Sequence, residues 1–163
     1  MMLYHGSFCE VLTPDLSRSR LNLDFGKGFY LTDLQTQAEK WALRKRREFG
    51  SAVVSVFEFK QEDLMVFRFN GYSVEWLDYI VSNRGYGIDT LNVDVIIGNV
   101  ANDEVVVSIN NYIRLLEMDR STHIQKLATL EQLTYSKPSS QVCFKTVRSL
   151  KHLKFLESYA LGD

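Results

Sequence analysis

The chain has 163 residues, 45% of them hydrophobic, and a formal net charge of −1, which suits one globular domain with a real core and gives no whole-molecule field toward nucleic acid or an anionic membrane. Its two cysteines, Cys9 and Cys143, exclude a disulfide framework and lack the clustered spacing of a zinc site, so a reduced, cytoplasmic setting is expected. No apolar run reaches the roughly 18 residues of a membrane span, and the opening Met-Met-Leu-Tyr-His-Gly lacks the basic start and apolar stretch of a signal peptide.

Leu3 to Ser7 reads as a short strand. From Phe8 to about Lys27 the polar and glycine content argues against regular structure, and a loop of that length in a compact domain is usually functional or mobile. Phe29 to Thr32 reads as a second strand. Thr32 as N-cap and Gln35 as its N3 partner predict a capping box, followed by a helix with Leu34, Ala38, Trp41 and Ala42 on one face and Gly50 as its stop. Val53 to Phe59 alternates as a strand, and Leu64 to Phe69 is another candidate. Ser73 is expected to cap a second helix, with Val74, Leu77, Ile80 and Val81 inward and Gly85 at its end. Val93 to Ile97 reads as a buried strand and Glu104 to Ser108 as a weaker one. Two short helices are expected over Asn110 to Leu133, a strand over Gln141 to Lys145, and a last short helix capped by Thr146; Leu153 to Tyr159 closes the chain. Pro14 and Pro138 read as turn punctuation. Strands and helices are interspersed without a regular βαβ repeat, which predicts an α+β fold with a mixed or antiparallel sheet.

No P-loop, dinucleotide fingerprint, nucleophile elbow or metal motif occurs. Three segments carry candidate chemistry. Tyr4-His5-Gly6-Ser7 puts a histidine and a glycine on the first strand, where a glycine lets a ligand approach the backbone; a plain strand histidine is the other reading. Asp24-Phe25-Gly26-Lys27-Gly28-Phe29-Tyr30-Leu31-Thr32 joins a close-approach turn to aromatic side chains. Tyr30 is either a core tyrosine or a platform for a planar ring. In Gln141-Val142-Cys143-Phe144 alternation puts Gln141 and Cys143 on one face, so Gln141 meets a cleft if Val142 and Phe144 face the core. Arg44-Lys45-Arg46-Arg47 is a solvated helix end favoured by the macrodipole, or a patch for an anionic acceptor such as nucleic acid. Cys143 with His5 forms a thiol–imidazole pair only on paper, since no orienting third group is evident.

Together these segments resemble the ADP-ribosyltransferase superfamily, in the histidine–tyrosine–glutamate branch of diphtheria toxin and the poly(ADP-ribose) polymerases. The chain is similar in particular to a bacterial family of small domains in that superfamily. The matching blocks are Leu3 to Ser7, Pro14 to Leu16 with Ser19-Arg20, Asp24 to Thr32 and Gln37 to Ala42. They continue with Glu75-Trp76-Leu77-Asp78 and Asn83-Arg84, Asp94 to Gly98, Val100 to Asp103 and Gln141 to Phe144.

The resemblance implies one ADP-ribosyltransferase-like domain over residues 1–163, α+β, with a split sheet and flanking helices. It implies NAD as co-substrate, no metal, and transfer of ADP-ribose to a macromolecular acceptor, protein or nucleic acid. It also implies a toxin-like or defence role with a neutralising antitoxin-like partner. Carried over by position, His5 bonds ribose hydroxyls, Gly6 grips the carboxamide through its backbone, Tyr30 stacks on the nicotinamide ring and Gln141 bonds the nicotinamide ribose. Gly28 belongs to the turn beside the dinucleotide, and Arg20, in the loop before that turn, either meets the pyrophosphate or is a plain surface arginine. The branch usually has glutamate where this chain has Gln141. An amide bonds a hydroxyl but brings no charge, so single-unit transfer is expected, with a catalytically weak or inactive NAD/ADP-ribose-binding module as the alternative.

Overall fold

The computed structural model describes residues 1–101, 103–118, 123–134 and 139–162. Asn102 and Pro138 lie outside the described residues. In chain order the elements are β1 (Met2–Ser7), β2 (Phe29–Leu31), α1 (Gln35–Phe49), β3 (Val53–Phe59), β4 (Val66–Arg68), α2 (Val74–Tyr86), β5 (Val95–Gly98), α3 (Asp103–Glu117), α4 (His123–Thr134), β6 (Gln141–Phe144), α5 (Val147–Leu150) and β7 (Leu153–Ala160). The α+β class is as expected. Among the described residues, no helix is long and apolar enough to cross a membrane.

The strands form two sheets. One is antiparallel, in the order β1-β3-β7. The other is mixed, in the order β2-β6-β5-β4, with β4 parallel to β5 and the remaining pairs antiparallel. They meet where β1 passes the end of β2: Tyr4 and Thr32 exchange two backbone hydrogen bonds, of 2.8 and 3.0 Å.

Alternation along the strands distributes side chains to layers. On β3, Val54 faces α1 and packs with Ala38 and Ala42, while Phe57 and Phe59 face the second sheet. On β6, Val142 and Phe144 join that inter-sheet core with Leu3, Phe29 and Leu31. Cys143 points the other way, into a core with Phe25, Trp76, Leu77 and Ile109 beneath α2, α3 and α4. Strands covered on both faces read as continuous apolar runs, and each fully buried large side chain contributes roughly 1.5–3 kcal/mol.

Several expectations are corrected. Residues 104–108 are helical: Val105, Ile109, Tyr112 and Ile113 are buried at helical spacing, which overrides the strand preference of three successive valines. The helix after β2 begins at Gln35 with Leu34 as N-cap and no side-chain cap. Thr32 is held in the bridge to β1, and its hydroxyl accepts from the Leu34 N–H at 3.0 Å. Gly85 lies inside α2, where an added Cβ would stand 3.3 Å from Ile113; the helix ends at Gly87, at φ 64°. Val74 is exposed, not inward. Gly50 at φ 79° and the caps of Ser73 and Thr146 are as read.

Gly6 fixes how closely α1 lies on β1. A Cβ there would fall far inside van der Waals contact distance of the Ala38 carbonyl oxygen and 2.9 Å from the Ala42 nitrogen. Both are helix backbone and cannot yield singly, so Gly6→Ala should lower stability by about 3 kcal/mol or more. Urea unfolding that gives wild-type stability for this variant would contradict the seating of α1.

Candidate functional site

A cavity of about 790 Å³ opens beside the seam of the two sheets. His5 and Gly6 of β1, Tyr30 of β2 and Gln141 of β6 line it together, with one face of α1 as an outer wall. The structure thus brings together His5, Tyr30 and Gln141, which are 25 to 136 positions apart in sequence.

His5 Nδ1 stands 2.8 Å from the Tyr30 carbonyl oxygen. A carbonyl only accepts, so Nδ1 carries the hydrogen and Nε2 of the neutral ring keeps its lone pair. Burial pulls the His5 pKa below 6.5, with the Tyr30 carbonyl opposing. The ring lies 4.5 Å from that of Phe29.

Tyr30 is anchored at its tip. Its hydroxyl donates to the Gly26 carbonyl at 2.5 Å and accepts the Phe25 N–H at 3.0 Å. Burial raises its pKa far above 10, so the phenol stays neutral.

Gln141 is 3% exposed. Its amide nitrogen donates to Asp24 Oδ2 at 3.0 Å and to the Asn99 carbonyl at 3.3 Å. Both neighbours are acceptors, so the nitrogen belongs on that side and Oε1 is left toward the cavity. Asp24 also takes Arg84 Nε and Nη2 at 2.6 Å on Oδ1, and the Ala101 N–H at 2.9 Å on Oδ2.

Two expected positions lie elsewhere. Arg20 is exposed and does not line the cavity. Gly28 is buried against β6: a Cβ would meet Cys143 Sγ and stand 2.9 Å from the Phe144 carbonyl, and its N–H donates to Ser19 Oγ at 2.8 Å. Its glycine serves strand packing, as that of Gly6 serves helix packing. The Cys143 thiol is fully buried and pushed up to about 12 by desolvation, so a thiolate paired with His5 is not available.

Several lining residues had no signal as site residues in the sequence. Asp24 and Arg84 read there only as family positions, and Trp41 as part of one apolar helix face and a family block, and it lines the cavity. The basic run is divided. Arg44 and Lys45 line the cavity with Lys40, while Arg46 bonds the carbonyls of Leu161 and Gly162 near the chain end.

A partly buried, neutral histidine makes stability pH-dependent. The folded chain resists protonating His5, so its contribution is complete above pH 6.5 and falls as pH drops below that value through the lowered folded pKa. His5→Gln should flatten this part of the profile. Chemical denaturation at pH 5, 6 and 7.5 checks it, and an unchanged slope would count against a neutral His5.

No curated protein and no solved structure matches the chain. One family, described as "Protein of unknown function (DUF3990)", matches residues 1–155. That match covers nearly the whole chain, including every residue of the cavity, and the chain belongs to this family.

Proposed function

We propose that the chain is an NAD-dependent mono-ADP-ribosyltransferase with an ADP-ribosyltransferase-like split-sheet fold. The observation that carries this reading is the convergence of His5, Tyr30 and Gln141 on one cavity. Two sheets meeting along β1 and β2 agree with the split sheet that the motif order implies.

The residues suit the substrate. Tyr30 and Trp41 offer aromatic surface to a planar ring. His5 Nε2 and Gln141 Oε1 are uncharged acceptors for ribose hydroxyls. Lys40, Arg44 and Lys45 on the outer wall supply charge for phosphate oxygens. NAD supplies a nicotinamide leaving group and a ribosyl centre that becomes positive as the bond breaks. The oriented carbonyl dipole of Gln141 stabilises that charge, though less than a carboxylate would. A macromolecule, protein or nucleic acid, then receives a single ADP-ribose unit.

One observation favours the binding-module reading: the carboxylate beside Gln141, that of Asp24, accepts three hydrogen bonds and an ion-pair contact from Arg84 Nη2 across its two oxygens. Both of its oxygens are thus engaged within the protein and not held ready to activate an acceptor.

Incubation with NAD labelled in its adenosine portion, in a cell lysate, tests both readings. Wild type should release nicotinamide and label an acceptor. Gln141→Ala should slow release by about 10²–10³-fold, the usual loss of one transition-state partner. Equal rates for wild type and Gln141→Ala would misassign the site. Tight NAD binding without release by wild type would favour the binding module.

A further inference from the structure

A glutamine can turn its amide either way, and the choice decides whether the cavity meets a donor or an acceptor. Here the surroundings make that choice. The Gln141 nitrogen stands between Asp24 Oδ2 at 3.0 Å and the Asn99 carbonyl at 3.3 Å, and neither can donate. We propose that Asp24 is the positioning residue of the site: it holds Gln141 by its nitrogen, so that Oε1 alone, a fixed and uncharged acceptor, meets a ligand hydroxyl or N–H.

Asp24 acts through Gln141 and not on the ligand. Arg84 Nε donates to Oδ1, with Nη2 in ion-pair contact with the same oxygen, and the Ala101 N–H and Gln141 supply two donors to Oδ2, so both carboxylate oxygens are engaged within the protein. The same geometry explains an amide at position 141. A charged carboxyl in its place would set one oxygen against Asp24 and near the Asn99 carbonyl. Two carboxylates at such a distance hold one proton between them. In its protonated form the introduced carboxyl reproduces glutamine: its O–H donates to Asp24 and its C=O faces the cavity.

Other groups around the pair do not titrate across pH 7 to 8. Tyr30 and Tyr72 have raised pKa values and Cys143 is near 12, all through burial, so they keep their protons; His5 is neutral there.

The identity of the ligand rests on the NAD reading, but the amide lock does not, and the test separates them. In the ligand-free full chain, the Gln141 side-chain N–H signals should be dispersed and slow to exchange. Asp24→Asn should speed their exchange by about tenfold to a hundredfold, the equivalent of one charge-assisted hydrogen bond. Relative to the wild type at each pH, which carries the same His5 contribution, Gln141→Glu should lose thermal stability as pH rises from 5 to 8. The introduced carboxyl has a folded pKa raised above its unfolded value of about 4.3, so its contribution is full below that value and lost as pH climbs through the raised one. Combining Gln141→Glu with Asp24→Asn should remove this loss, a rescue that a purely structural role would not produce. Calorimetric titration with NAD should show Asp24→Asn weaker by about tenfold to a hundredfold.

If the amide and pH results hold and wild type does not bind NAD, the lock stands and the NAD reading falls. The lock is overturned by Gln141 N–H exchange as fast as in free glutamine, which needs only the wild-type chain. A Gln141→Glu variant with wild-type stability at every pH would overturn it equally.

Discussion

One carboxylate holds the site together. Asp24, 6% exposed, gathers donors from α2, from the connection after β5 and from β6, while itself lying on the loop before β2. No two of those segments are neighbours in sequence, so the ion pair and its hydrogen bonds define where they stand relative to each other. A buried pair of this kind need not raise net stability over apolar packing. Removing one member strands the other, at about 3–5 kcal/mol, and that asymmetry makes the arrangement specific.

The residues next to Asp24 are pinned in the same way. Phe25 is fully buried, with its ring 5.7 Å from that of Phe69 and 6.1 Å from that of Tyr79. Its carbonyl takes Lys145 Nζ, its N–H goes to Tyr30, and Lys145 also pairs with Asp89 at 2.6 Å. Gly26 sits at φ 70°, and a side chain there would run into Asn83. Each member of Asp24-Phe25-Gly26 thus answers a different demand: charge, apolar volume and a left-handed backbone. This is the physical content of a block that reads in the sequence only as a recognisable motif.

Strands flanked by turn residues were legible from composition and alternation, because local preference and burial agree there. Residues 104–108 were not, because Val105 to Val107 carry a strand preference that only contacts with distant residues overrule. The start of α1 was misread for a similar reason: Thr32 has the chemistry of a cap, but the seam between the sheets claims it. His5, Tyr30 and Gln141 could be nominated one segment at a time. The carboxylate behind Gln141 could not, since a contact spanning 117 positions leaves no local pattern. Arg20 shows the converse. A guanidinium near a glycine turn looks suited to phosphate, while the cations that line the cavity come from a helix face whose charges resemble ordinary surface lysines and arginines.

The cavity is uneven in its response to salt. At its floor, Gln141 and neutral His5 offer dipoles and lone pairs, which mobile ions screen little. At its wall, Lys40, Arg44 and Lys45 offer net charge. Between 0.1 and 1 M ionic strength the Debye length falls from about 10 to 3 Å. A ligand spanning both regions would therefore keep its grip at the floor and lose it along α1. Ionic strength would separate the energetics of the two halves without any change to the chain.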